Sequence, residues 1–140
     1  MSGTEAPEIR LEYGLPVLDV APQHWHDAAR QACDARAMTY FDWLSAVDEI
    51  DSIDVVAHLW APATRAHLLL RTRLPASDPH LATLVDVYAG AAWHERETYE
   101  MFGVGFDGHP DLRPLLLPAG APATPLRKRV ALAEREPPRR

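Results

Sequence analysis

The sequence predicts an α+β fold: a two-layer domain with a mainly antiparallel three- to five-stranded sheet, helices packed on one face, and an extended Pro-rich C-terminal tail. Three observations predict it. Three strand-like runs follow one another between Met38 and Leu74 with only short connections. Helical periodicity brackets them, once after Pro22 and once before Gly103. Seven of the thirteen prolines crowd into residues 110–140, which excludes long regular elements there. The expected organisation is therefore an extended entry arm over 1–22, an α+β domain over 23–108 and an extended basic tail over 109–140.

Residues 1–22 carry Pro7, Pro16 and Pro22 with little periodicity, hence the arm. From Trp25 the apolar set Trp25, Ala28, Ala29, Ala32 and Cys33 follows the i, i+3, i+4, i+7, i+8 spacing of an amphipathic helix. Its alanines permit close approach to a sheet. Met38 to Asp48 alternates, an Asp/Ser turn leads to the Val- and Ile-rich run Ile53–Trp60, and Pro62 and Thr64 turn the chain into His67–Leu74. Short connections of this kind favour an antiparallel meander. Residues 82–90 fit a short strand or turn as well as a helix. A charged helix is expected from about Ala91 to Phe102, closed by Gly103 just past its C-terminus. Leu115–Leu117 could add an edge strand.

Composition limits the function. A chain of 140 residues suits one domain, and no apolar run approaches the roughly 20 residues of a membrane span. The N-terminus MSGTEAPEIRLEYG has neither a basic start nor an apolar stretch of the secretory kind. Cys33 is the only cysteine, which excludes an internal disulfide and a self-contained iron–sulfur cluster and argues for a reducing compartment. Residues 1–108 hold 17 acidic and 7 basic residues, a balance of −10; residues 109–140 hold 3 and 7, a balance of +4. No basic patch supports nucleic-acid binding. The basic tail suits an acidic partner or the acidic body itself.

The densest chemistry lies in Trp93–Pro118, WHERETYEMFGVGFDGHPDLRPLLLP. Its first eight residues place Glu95, Arg96, Glu97 and Glu100 in about two helical turns. A core face does not carry such charge, so a helix held against something else is expected. Arg96 and Glu100 fall at i, i+4, whereas Glu97 and Glu100 form an unfavourable i, i+3 pair. Surface pairs, interface charges and catalysis all remain open for this cluster. Gly103-Val-Gly105-Phe-Asp-Gly108 spells G-x-G-x-x-G, but a helix precedes it and His109-Pro110 follows, so a chain reversal is expected rather than a dinucleotide loop. His94-Glu95 lacks the second histidine of H-E-x-x-H, since position 98 is Thr. His24 and His26 point to different faces, and His58 and His67 form a cross-strand surface pair. Arg113 is placed to return to the helix carboxylates, and His109 either caps a nearby carbonyl or takes part in chemistry.

This block resembles the signature of the thirty-kilodalton subunit of respiratory complex I, the proton-pumping NADH:quinone oxidoreductase. Glu95, Arg96, Glu97, Phe102, Gly103, Gly108, His109, Pro110 and Arg113 fall on that signature, with Glu100 where the family more often has Asp. Pro125-Leu126-Arg127-Lys128 resembles the family's Pro-Leu-Arg-Lys tail, and FDWLSAVD, VVAHLWAP and LLLRTRLP resemble its strands. Ala123-Thr124 and Arg129-Val130 depart from the Gly-His and Asp-aromatic flanks usual there. The resemblance implies a non-catalytic component of the peripheral arm on the cytoplasmic side of the membrane. FMN and iron–sulfur clusters would lie in partner subunits, and this chain would contact chiefly the quinone-pocket and terminal-cluster subunits.

Three function classes follow: that scaffold, or its equivalent in a hydrogenase or other-donor dehydrogenase; a small hydrolase using Glu97, His109 and Asp111; and a free-standing binding domain that forms homodimers. The scaffold reading expects Arg127 and Lys128 to order only against a partner. Reversing both charges should then leave the isolated domain folded.

Overall fold

A computed structural model describes residues 8–112, 124 and 126–127. Arg113, Leu115–Leu117, Pro125 and Lys128, with the expectations placed on them, lie outside the described residues. The elements are β1 (Ile9–Glu12), β2 (Leu15–Asp19), α1 (Trp25–Ala35), β3 (Tyr40–Asp48), β4 (Ser52–Ala61), β5 (Ala66–Pro75), β6 (His80–Ala82), α2 (Ala91–Phe102) and β7 (Gly105–Asp107). The five-stranded sheet has the order β1-β2-β5-β4-β3, and β6 and β7 form a separate pair.

The core follows from strand alternation. Ile53, Val55, Ala57, Leu59 and Ala61 of β4 point to one face, and Leu68, Leu70 and Leu74 of β5 join them. Trp25, Ala29 and Ala32 of α1 and Ala91 and Phe102 of α2 complete the same apolar cluster, so both helices cover one face. A 3-10 turn over Pro22–His24 introduces α1, where proline loses no helical donor. Gly103 ends α2 with φ +78° and returns its N–H to the Tyr99 carbonyl at 2.8 Å. That left-handed position favours glycine.

The entry arm needs correction. From Ile9 onward it is a hairpin built into the sheet, with β1 antiparallel to β2. Tyr13 and Gly14 both adopt positive φ, +52° and +78°, which is the two-residue turn whose twist suits a tight hairpin. Pro16 is tolerated because the β2–β5 ladder covers only Val17–Asp19, so no bond to β5 is asked of its nitrogen. The meander is also modified. The β3–β4 and β4–β5 pairs are antiparallel as expected, but β2 joins β5 in parallel, which makes the sheet mixed. Residues 83–90 are turns: Val87 and Tyr88 both donate backbone N–H to the Leu84 carbonyl. The Tyr88 hydroxyl donates to the Met38 carbonyl at 2.7 Å and pins that loop beneath β3. Burial pushes this phenol far above its usual range.

Candidate interaction site around the second helix

The buried stripe of α2 is Ala91, Glu95, Thr98 and Phe102, a helical spacing with a carboxylate in its middle. Glu95 is fully buried and Glu100 nearly so, against the expectation that charge here would stay off the core side. The reason for Glu95 is local. Its Oε2 accepts the Leu84 backbone N–H at 2.8 Å, and its Oε1 accepts the Thr83 hydroxyl. Thr83 Oγ1 in turn accepts the Val85 N–H at 3.2 Å. The carboxylate thus supplies acceptors to the Thr83 hydroxyl and the Leu84 N–H, and ties α2 to the β6 loop. Burial raises the Glu95 pKa above the ordinary carboxylate range, opposed by those two hydrogen bonds and by nearby His109.

The G-x-G-x-x-G segment is a chain reversal. Gly103 and Gly108 have φ of +78° and +85°, β7 begins at Gly105, and no helix follows among the described residues. A Cβ on Gly108 would sit 3.3 Å from Thr83 Cγ2, so this glycine lets the loop close over the threonine that holds Glu95. His109 then donates from Nε2 to the Ala92 carbonyl at 3.0 Å and accepts the Asp111 N–H on Nδ1 at 2.9 Å. Both ring nitrogens are engaged, and the partners fix the tautomer. His109 is the carbonyl-capping turn residue. With both nitrogens held, this imidazole presents no free lone pair to a substrate in this arrangement.

Arg127 corrects another expectation. It orders on the chain's own body. Its Nη1 donates to the Phe102 carbonyl at 2.9 Å and its Nη2 to the Ala76 carbonyl at 3.1 Å, while Nε lies 3.6 Å from Asp48 Oδ2. The Leu126 N–H donates to the Met101 carbonyl at 3.0 Å. Met101 and Phe102 end α2, where carbonyls lack partners within the helix, so Leu126 and Arg127 serve as its C-terminal cap. Asp48 is buried at the end of β3 and also holds the Ile50 N–H at 2.7 Å. A charge reversal at Arg127 would therefore disturb the domain itself.

Arg96, Glu100 and Asp111 make further contacts of their own. What α2 turns outward is Trp93, 54 % exposed, and Glu97, one helical turn later. The signature thus divides in two. Glu95, Gly103, Gly108 and His109 hold the fold, whereas Trp93 and Glu97 face away from it. Among the described residues no group of three or more His, Cys, Asp or Glu side chains is arranged to hold a metal, and no helix is long and apolar enough to cross a membrane.

The family model described as the respiratory-chain NADH dehydrogenase, 30 Kd subunit, matches residues 18–136. An F(420)H(2) dehydrogenase subunit of Methanosarcina mazei is 37 % identical over 98 residues, covering 66 % of this chain and 62 % of that protein. An NADH-quinone oxidoreductase subunit of a Nocardioides species is 43 % identical over 76 residues, 54 % of this chain and 30 % of that one. An NADH-quinone oxidoreductase subunit of Klebsiella pneumoniae is 40 % identical over 95 residues, 68 % of this chain but 15 % of its own length. The chain therefore spans less than two thirds of each of these relatives. Among solved structures, a trypsin-resistant fragment of Nqo5 superposes with a TM-score of 0.68 at 24 % identity, covering 76 % of this chain and 89 % of the fragment. A chain of an archaeal membrane-bound sulfane sulfur reductase superposes with a TM-score of 0.64 at 22 % identity, covering 83 % of this chain and 69 % of that one. At these identities the superpositions speak to the fold alone.

Proposed function

Because this chain belongs to the family of the respiratory-chain NADH dehydrogenase 30 Kd subunit, we propose that it is a non-catalytic structural member of the peripheral arm of a proton-pumping, quinone-reducing oxidoreductase. In this reading it sits on the cytoplasmic side of the membrane without spanning it. It braces the quinone-pocket and terminal-cluster subunits while electrons pass from NADH through FMN and iron–sulfur clusters held by those and other partners. One observation carries the proposal. Within the signature, both oxygens of Glu95 and both nitrogens of His109 are engaged within the chain, and the outward groups are a tryptophan and a carboxylate. Such a pair suits docking, since tryptophan is enriched among the residues that dominate interface energy.

A second reading changes the electron donor and keeps the structural role. The Methanosarcina relative is named for an F(420)H(2) dehydrogenase, which favours F(420)H(2) or another non-NADH donor for the assembly. Affinity purification of the tagged chain from its native host, with mass-spectrometric identification of what elutes, tests both. Recovery with a quinone-pocket subunit supports the role, and the donor-binding subunit recovered decides between the two donors. Elution alone at every salt concentration would overturn membership in a complex.

A further inference from the structure

The helix-free face of the sheet carries an aromatic and imidazole cluster that the family reading does not use. A sheet with one covered face ordinarily turns polar residues to water on the other. Here that face presents Tyr40 and Trp43 from β3, His58 and Trp60 from β4 and His67 from β5. The rings contact one another in series: Tyr40 meets Trp60 edge-on at 5.8 Å between centroids, Trp60 lies over His67 at 5.7 Å, and Trp43 leans on His58 at 5.8 Å. The histidines are diagonal rather than directly opposed, since His58 pairs with Leu69 and His67 with Trp60.

A hydrogen-bonded chain runs through this cluster. A carboxylate can only accept, so His58 donates from Nδ1 to Asp42 Oδ2 at 2.8 Å. Its Nε2 meets Nδ1 of His67 at 3.0 Å, one ring donating to the other. The ring planes differ by 2°, and their centroid separation of 5.1 Å is close to the N···N distance plus two ring radii, so the edges meet nearly head-on. The series ends at His67 Nε2, which has no hydrogen-bond partner among the described residues and sits on an exposed side chain. The sequence neighbours Asp42 and Trp43 both serve this face because β3 bulges between Phe41 and Trp43. Without the bulge, strict alternation would send one of these two neighbours toward the core face.

The charge balance identifies the occupant. The cluster's carboxylate, Asp42, lies among aromatic rings and is held by an imidazole rather than, among the described residues, by a guanidinium or ammonium group. The other charges on this face are matched: Arg71 with Asp19 and Glu12, Arg73 with Asp54, and Arg10 with Asp19. We propose that the Asp42–His58–His67 cluster is a docking site for a partner subunit that presents a guanidinium or ammonium group within an otherwise apolar surface. The cation donates to His67 Nε2, faces the 44 % exposed Asp42 carboxylate and lies against the ring of Trp43 or Trp60. The proposal rests on the chain being a subunit of a complex.

Hydroxyl-radical footprinting of the full chain, alone and in the complex purified from the native host, tests it. Oxidation of Tyr40 and Trp43 is expected to fall at least about tenfold in the complex. Asp42→Asn and His67→Phe are each expected to shift the salt concentration at which the chain dissociates to lower values, while leaving the melting temperature of the free chain unchanged. Equal oxidation of Tyr40 and Trp43 in both states, with the chain still co-purifying, overturns this site and leaves membership intact. Protection that instead grows with the concentration of the free chain assigns the face to a second copy and overturns the partner-subunit proposal. Failure of the wild-type chain to co-purify with any subunit overturns membership and this site together.

Discussion

Arg127 lies 3.6 Å from Asp48 and donates to the carbonyls of Phe102 and Ala76, so one guanidinium joins the end of β3, the end of β5 and the end of α2. Both side chains are largely withdrawn from water, 16 % and 2 % exposed. Removing one partner of a buried pair costs about 3–5 kcal/mol, chiefly because the other charge stays buried. Arg127→Glu is expected to lower the melting temperature of the isolated chain by about 10 °C, at roughly 2–4 °C per kcal/mol for a domain near this size. Arg127→Lys should recover part of the loss, since an ammonium cannot span both carbonyls and Asp48. Differential scanning calorimetry checks the order wild type, Lys, Glu; an unchanged Glu variant would place the contact outside the stable fold.

Tail docking at this point could be read only in part from the sequence. The balance of −10 against +4 suited the tail to the body as well as to a partner, but the partner of Arg127 is 79 residues away in the chain and no local pattern marks it. Helix periodicity located α1 and α2 to within a residue or two because it is a local signal, as did the alternation of β3, β4 and β5. The parallel seam of β2 on β5 is non-local, and Pro16 concealed it. The site divided along similar lines. Gly103 as a cap was legible from helix end and glycine together, whereas Glu95 read as a charge when its environment makes it an acceptor for Thr83 and Leu84. Those partners lie 12 and 11 residues before Glu95, and no local pattern marks them.

Glu95 gives a pH prediction. Its folded pKa is raised by burial, so the folded state holds its proton more tightly than the unfolded chain. That contribution to stability is complete below the unfolded value near 4.5 and is lost as pH rises through the folded value. Glu95→Gln keeps an acceptor for Leu84 and removes the titration. Melting temperatures recorded from pH 4.5 upward should therefore decline less in the Gln variant than in wild type. Superimposable pH profiles would mean that Glu95 is solvated.

The hairpin should respond in the opposite sense. Arg71 of β5 holds Asp19 of β2 through two bonds of 2.6 and 2.9 Å and Glu12 of β1 at 2.8 Å. The Arg71 hydrogen bond holds the Asp19 pKa below its usual value, with Arg10 assisting and burial opposing. A depressed acid contributes stability above its unfolded pKa and loses it as pH falls through the folded one. Arg71→Gln should reduce this acid-side loss, Arg10 remaining, and speed proteolytic cleavage at Tyr13–Gly14, whose tyrosine is fully exposed. The pair is partly solvated, so the effect on global stability stays near about 1 kcal/mol. Cleavage at the wild-type rate would show that strand pairing alone retains the hairpin.

Gly103 and Thr124 form a steric couple. A Cβ at Gly103 would meet Thr124 Cγ2 at 2.8 Å, and φ +78° is already unfavourable to any other residue. Gly103→Ala should cost about 1–2 kcal/mol from the backbone alone, with the collision added. Thr124 itself holds φ +51°, a strained position for a β-branched residue. Thr124→Gly should therefore be near neutral in the wild type and should rescue the collision part of Gly103→Ala but not the backbone part. A double-mutant cycle with no coupling would mean that Thr124 does not rest on the glycine.

On the proposed function, the signature block assembles a complex and performs no chemistry. Trp93→Ser with Glu97→Arg alters only its outward half, so the isolated chain should remain folded. In the native host, the quantity to measure is quinone-reductase turnover per assembled complex, alongside the amount of complex assembled. Assembly is expected to fall by about tenfold or more, as loss of an interface anchor does, while turnover per assembled complex is unchanged. Full assembly with lost turnover would contradict the structural role and return these residues to a part in the reaction.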